Sequence, residues 1–205
     1  MDFQKVVRRR RMVRSYDPDR PVAPEVRDLI LSNALHAPSA GFSQGWAFLV
    51  IEEPQDRARF WRRTTDPDGV PDAWLRGMQT APLLIVCLSH KDAYLDRYAR
   101  PDKGWADRDE ARWPVPYWDI DTGFAAMLMM LTVVDQELAS CFFGVPPAQI
   151  PGVLEEFGVP DGYTPVGVVS VGYGVADRRS GSLKAGRKPL SDVVHMGHWG
   201  EHHAS

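Results

Sequence analysis

The chain reads as an α+β protein, and three features of its sequence predict that class. Strand-like and helix-like segments follow one another without the strict β-α-β alternation of a doubly wound sheet. No strand candidate is followed by the glycine pattern of a dinucleotide fingerprint, so a phosphate-bearing ligand would have to be held by side chains. One long helix candidate, 117–138, is apolar on nearly every side of its 124–134 core and should be central and buried. No repeat or linker divides the 205 residues, so a single domain spanning 1–205 is expected, with about 176–205 as a C-terminal arm.

Residues 3–9 form a short helix candidate with a block of arginines at its end. The segment 21–37 reads as a helix, with Pro24 in its first turn and Val26, Leu29, Ile30, Ala34 and Leu35 as its apolar stripe. "APSAGFSQG" (37–45) is a loop of small residues and turn formers, and "WAFLVIE" (46–52) is a strand. "PQDRARFWRR" and "DAWLRGMQT" read as two helices, and "PLLIVCLS" as a buried strand. Residues 90–116 look irregular, charged and rich in Trp and Pro, as a functional or mobile segment would be. "PAQIPGVLEEFG" is a helix interrupted by Pro151, "PVGVVSVGYG" (165–174) is a strand, and the polar tail 176–205 shows no helix period.

Composition narrows the function classes. With 44% hydrophobic residues, the chain can bury a substantial core. The net charge of −3 argues against a polyanion-binding surface, so no nucleic-acid partner is expected. The N-terminus lacks the apolar region of a signal peptide, and the longest apolar run, 124–134, is too short to span a bilayer. Cys87 and Cys141 look buried and lack metal-ligand spacing, which fits a reducing cytoplasm.

Against that background "VVRRRRMVRSYD" (6–17) is anomalous, because five arginines fall between 8 and 14. On spacing alone the block fits a solvated basic turn as well as a local anion site. His195, His198, His202 and His203 invite a metal reading, but no Cys accompanies them and no helix sets them on one face, so no metal is expected. No Ser-His-Asp or paired-carboxylate constellation is visible.

Three stretches in order resemble the FMN-dependent nitroreductase family, from about residue 6 to 196. They are "RRRRMVRSYD" ahead of a helix, "HAPSAGFSQGWAFLVI", and "ELASCFFG" followed by "VSVGYG" and "GRKPLSDVVH". The resemblance implies a mainly antiparallel central sheet flanked by helices, in an intertwined homodimer with one FMN at each of two interface sites. It also implies hydride transfer from NAD(P)H to a nitro-aromatic, quinone or similar acceptor by a ping-pong mechanism. A specialised branch (dehalogenase, azoline oxidase or flavin-fragmenting enzyme) and a flavin-binding protein without turnover remain alternatives.

Carried over residue by residue, the resemblance makes Arg10, Arg11 and Arg14 phosphate ligands. Arg187 completes that site, Lys184 and Lys188 are weaker candidates, and Arg8 and Arg9 stay surface charges. Pro38, Ser39, Ala40 and Gln44 would meet the ribityl chain and ring edge, although Gln44 fits a satisfied turn amide equally well. Phe143 and Gly144 would lay backbone against the ring, where flavin N5 does the chemistry and no side chain acts as catalyst. Phe42, Tyr117 and Trp118 would face the substrate, with Trp105 and Trp113 in the same aromatic region. Three departures stand out: Met12 where the family has Ser, Phe42 for Asn, and Gly45 for Pro.

Overall fold

The computed structural model describes residues 1–66, 69–176 and 181–201. The elements in chain order are α1 (Phe3–Arg9), α2 (Pro24–Ala34), β1 (Trp46–Ile51), α3 (Pro54–Thr64), α4 (Ala73–Met78) and β2 (Leu83–His90). They continue with α5 (Lys91–Tyr98), α6 (Tyr117–Asp135), β3 (Ala139–Phe143), α7 (Ile150–Glu156), β4 (Tyr163–Gly172) and α8 (Leu190–Val193). The strands form one antiparallel sheet in the order β1-β2-β4-β3. The fold is therefore α+β, as expected.

Strand periodicity explains the two-sided core. Along β2, Leu83, Ile85 and Cys87 face α2 and α6, where Ile30, Ala34, Ala126, Met129 and Val133 pack. Leu84, Val86 and Leu88 face the opposite way, onto Phe60, Trp61, Met78 and Val153. With both faces covered, the 83–88 stretch of β2 has to be apolar, as "LLIVCL" is. Burial pushes the Cys87 thiol up to about 12, so it stays protonated and inert.

Local chemistry sets the element ends. The Asp2 carboxylate accepts the Lys5 N–H at 3.1 Å to start α1, and Asp72 accepts the Leu75 N–H at 2.7 Å to start α4. Helix α6 stops because Glu137 turns to φ +59, letting the Leu138 N–H reach back to the Val133 carbonyl at 2.9 Å. That ends the helix three residues before the expected position.

Several expectations are corrected. The segment 90–116 is not wholly irregular: α5 follows β2 directly and buries only Tyr94 and Leu95, too little for a visible period. Pro151 does not interrupt a helix but occupies the first turn of α7, where its missing N–H costs nothing. The five-residue β3 has no counterpart among the expected elements, and the described part of the tail holds a 3-10 turn at Gly181–Ala185 and the helical turn α8. Helix α6 is central, but Phe124 is 47% and Met127 43% exposed, so one stripe faces outward. By length and composition alone α6 could cross a membrane, yet more than half of it is buried inside the fold.

The N-terminal segment is laid along the edge of this sheet. Met12 bridges Ser140 in parallel and Tyr16 bridges Gly174 antiparallel. The buried Tyr16 donates its hydroxyl to the Val13 carbonyl at 2.6 Å and lies 2.8 Å from Ser170 Oγ. Helix α4 closes over the segment at Gly77, where a Cβ would sit 2.2 Å from the Arg14 carbonyl oxygen. Glycine inside a helix is unfavourable by about 1 kcal/mol, so it is the close approach that requires it here. Gly77→Ala should therefore destabilise the protein by about 1–3 kcal/mol through overpacking, measured as a shifted urea midpoint at unchanged slope. An unchanged midpoint would mean that α4 does not press on Arg14.

Candidate functional site

The arginine block divides by burial. Arg8, Arg9 and Arg11 are exposed, whereas Arg10 and Arg14 are half-buried and flank the Met12–Val13 stretch that joins Ser140 of β3. Arg14 directs Nη1 to the Met12 carbonyl at 3.3 Å. Arg10 Nη1 is buried and has no hydrogen-bond partner among the described residues. A guanidinium left so is costly unless an anion meets it, so this position suits a phosphate. Met12 plays a different part, since its sulfur accepts the Phe142 N–H of β3 at 3.4 Å. Its side chain caps a donor on the sheet edge, where the family's Ser would carry a hydroxyl.

Phe143 and Gly144 end β3 beside a cleft of about 380 Å³, lined by Trp61, Val70, Trp74 and Leu75 among others. The Phe143 ring stacks on Trp61 with centroids 5.7 Å apart and planes at 12°, and Trp74 meets it edge-on at 5.8 Å. The Phe143 side chain thus belongs to packing, leaving its backbone to meet a ligand. Gly144 is exposed, and nothing lies within 4 Å of where a Cβ would stand. Trp61 Nε1 is buried without a partner among the described residues.

The 38–44 loop sits at the other end of the sheet. Ser39 Oγ accepts the Gln44 N–H at 3.0 Å, and Ser43 donates its hydroxyl to the Ala40 carbonyl at 2.6 Å. Phe42 and Gln44 take left-handed backbone angles, φ +55 and +50, and both side chains are exposed, as is Pro38. The Ala40 N–H donates to Asp121 Oδ2 at 2.8 Å, and the same oxygen accepts the Tyr94 hydroxyl at 2.9 Å. Burial, and then the Asp121 carboxylate, raise the Tyr94 hydroxyl well above its ordinary value, so it stays a donor. Asp121, Tyr94 and Arg97 were missed by sequence reasoning. The available signal was an aspartate, Asp121, entering the apolar stretch of α6.

The aromatic region is a cluster around Trp113. Its ring lies 4.6 Å from Tyr98, 5.5 Å from Trp105, 5.7 Å from Tyr117 and 6.0 Å from Trp118. Tyr117 reaches the surface, while Trp118 is buried against Tyr94. Arg187, Lys184 and Lys188 are exposed, and His195 stacks on Trp199 at 4.0 Å. His202 and His203 lie outside the described residues.

The strand registers show which of these groups one chain brings together. Ser140, beside Met12, pairs with Val171, which pairs with Leu83. The loop enters β1 at Trp46, which pairs with Ser89. From Leu83 to Ser89 along β2 is about 20 Å at roughly 3.3 Å per residue. Within a single chain, the arginines and the loop therefore stand at opposite ends of the sheet.

A four-stranded antiparallel sheet between helices, edged by an arginine segment, is the class of structure defined here. The sequence profile of the Nitroreductase family matches residues 7–173, and the chain belongs to that family. A protein of Archaeoglobus fulgidus, provisionally named NADH dehydrogenase/NAD(P)H nitroreductase, is 26% identical over 171 residues, covering 82% of this chain and 83% of that protein. A crystal structure of a nitroreductase family protein from Clostridium difficile 630 is 26% identical, with a TM-score of 0.72 and coverage of 97% and 99% of the two chains. A provisionally named nitroreductase of Exiguobacterium sibiricum 255-15, solved in complex with FMN, is 25% identical, with a TM-score of 0.70 and coverage of 96% and 97%.

Proposed function

We propose that this protein is an FMN-dependent oxidoreductase that carries hydride from NAD(P)H to a nitro-aromatic, quinone or similar small acceptor, with each site shared between two copies of the chain. The observation that carries this reading is Arg10 Nη1, buried with no partner among the described residues two positions before Met12 joins β3, in a member of a family with an FMN-bound relative. Arg10 and Arg14, joined by Arg11 and Arg187, would hold the phosphate through charge-assisted hydrogen bonds. The backbone at Phe143 and Gly144 would lie against the ring. Bound FMN supplies the hydride chemistry, which is why no acid-base constellation is needed among the side chains.

The separation of the arginines from the 38–44 loop supports a shared site. Pro38, Ser39, Ala40 and Gln44 would reach the cofactor held by the arginines of the other copy, and Phe42, Tyr117 and Trp118 would supply the acceptor's aromatic wall. Phe42 and Tyr117 offer exposed rings, with buried Trp118 behind Tyr117. The outward stripe of α6 at Phe124 and Met127, and the exposed Leu190, Val193 and Trp199 of the tail, give a second copy apolar surface to cover. An obligate interface of this kind buries more than about 2,000 Å².

Arg10→Ala and Arg187→Ala should each weaken FMN binding by roughly ten- to a hundred-fold, the loss of one charged hydrogen bond worth about 1.5–3 kcal/mol. Titration of the apoprotein by flavin fluorescence measures this, and wild-type affinity in the double variant overturns the phosphate assignment. Initial rates against NAD(P)H at several acceptor concentrations should give parallel lines, since donor and acceptor use one pocket in turn. Intersecting lines exclude that layout, and absent turnover with bound FMN points to a flavin-binding protein without catalysis. In sedimentation over a dilution series, flavin-loaded protein should run as a dimer; a flavin-saturated species of about 23 kDa rules the shared site out.

A further inference from the structure

We infer that Asp121 and Tyr94 are positioning residues: their hydrogen-bonded pair holds the 39–44 loop in the shape in which it meets the flavin. This rests on the flavin reading above and deepens it. Asp121 is 3% exposed, just ahead of the apolar stretch of α6 that begins at Phe124. A carboxylate is tolerated in such a place only when its hydrogen bonds are made. Two of them converge on one oxygen: Oδ2 takes the Ala40 N–H at 2.8 Å and the Tyr94 hydroxyl at 2.9 Å. One atom thereby ties α6, α5 and the loop together. Asp119, two residues earlier, serves another purpose, accepting the Ser89 hydroxyl at 2.6 Å.

The loop needs this support because its backbone is unfavourable by itself. Phe42 and Gln44 both lie at positive φ, a region in which non-glycine residues are strained and persist only when their surroundings over-determine them. Helix α5 supplies the rest of the restraint. Arg97 donates Nε–H to the Gly41 carbonyl at 2.8 Å, and Asp102 holds its guanidinium through two bonds at 2.9 and 2.7 Å. The Tyr94 ring is also the seat of Gly45, where a Cβ would come within 2.5 Å of the ring and 2.8 Å of the His90 carbonyl oxygen. That contact accounts for glycine where the family has proline: the Tyr94 ring occupies the space a proline ring would need.

The test uses apoprotein of the wild type and of Asp121→Ala, Asp121→Asn and Tyr94→Phe. Two quantities are read: amide hydrogen exchange across 38–45, and FMN affinity by fluorescence titration. Asp121→Ala should speed exchange at the Ala40 amide and weaken FMN binding roughly tenfold. Tyr94→Phe should move both quantities in the same direction by less. Asp121→Asn, whose amide oxygen can accept the same two bonds, should stay within about threefold of wild type. A role confined to stability would lower the melting temperature of Asp121→Ala while leaving the affinity of the folded fraction unchanged, and that result overturns the proposal. Should Asp121→Ala fail to fold, Tyr94→Phe decides, and wild-type exchange and affinity in that variant overturn it equally. Wild-type protein that takes up no FMN overturns the flavin reading itself, a result distinct from normal uptake that is indifferent to both substitutions.

Discussion

The candidate site depends first on how the 12–16 segment is fastened to the sheet. Tyr16 is 1% exposed, and its hydroxyl joins the Val13 carbonyl to Ser170 of the central strand β4. The Val13 N–H donates to the Ser140 carbonyl at 2.9 Å, and the Tyr16 N–H to Thr80 Oγ1 at 2.9 Å. With Val13 and Tyr16 turned into the core, the polar residues between and before them are carried along the sheet edge. The basic block is consequently not a loose arm. Its register is set by buried residues that carry no charge, and Met12 covers part of the strand edge that would otherwise be open to pairing.

The polar arrangement of the molecule divides between groups that are satisfied within the fold and groups that are not. Asp121 and Ser170 are buried with partners in place. Arg10 Nη1 and Trp61 Nε1 are two of the atoms buried without partners among the described residues, and Trp61 lines the cleft at Gly144. Unsatisfied buried donors oppose folding, and a ligand that meets them removes that cost on binding. The left-handed backbone at Phe42 and Gln44 is a second unfavourable feature, stabilised from α5 and α6. Arg10 and the 42–44 backbone lie where a cofactor is proposed, whereas Trp61 belongs to the apolar layer that also holds Leu84, Val86 and Leu88.

Much was legible in the chain itself. The apolar run 83–88 had to be a strand covered on both faces, because alternate residues point to opposite sides and none is polar. Proline at the start of α2 and the small-residue loop before β1 are local signals, and local signals survive in a single sequence. The order of the basic block, the 38–45 loop and the 137–144 segment was enough to indicate the family. Helix α5 was not legible, since two buried side chains in eight residues leave no period to detect. Nor was β3, which is short and follows a helix end set by the unusual backbone of Glu137.

What the sequence determined by itself was the α+β class, the apolar layers and the residue types available for an anion, because these follow from periodicity and composition along the chain. Only the tertiary structure decided that Arg10 Nη1 is buried with no partner among the described residues, that Met12 serves the sheet edge, and that Asp121 reaches across to Ala40. Those facts depend on atoms brought together from residues as much as 130 positions apart. Distance in space between such residues is set by packing and strand register, neither of which is written in the spacing of letters along the chain.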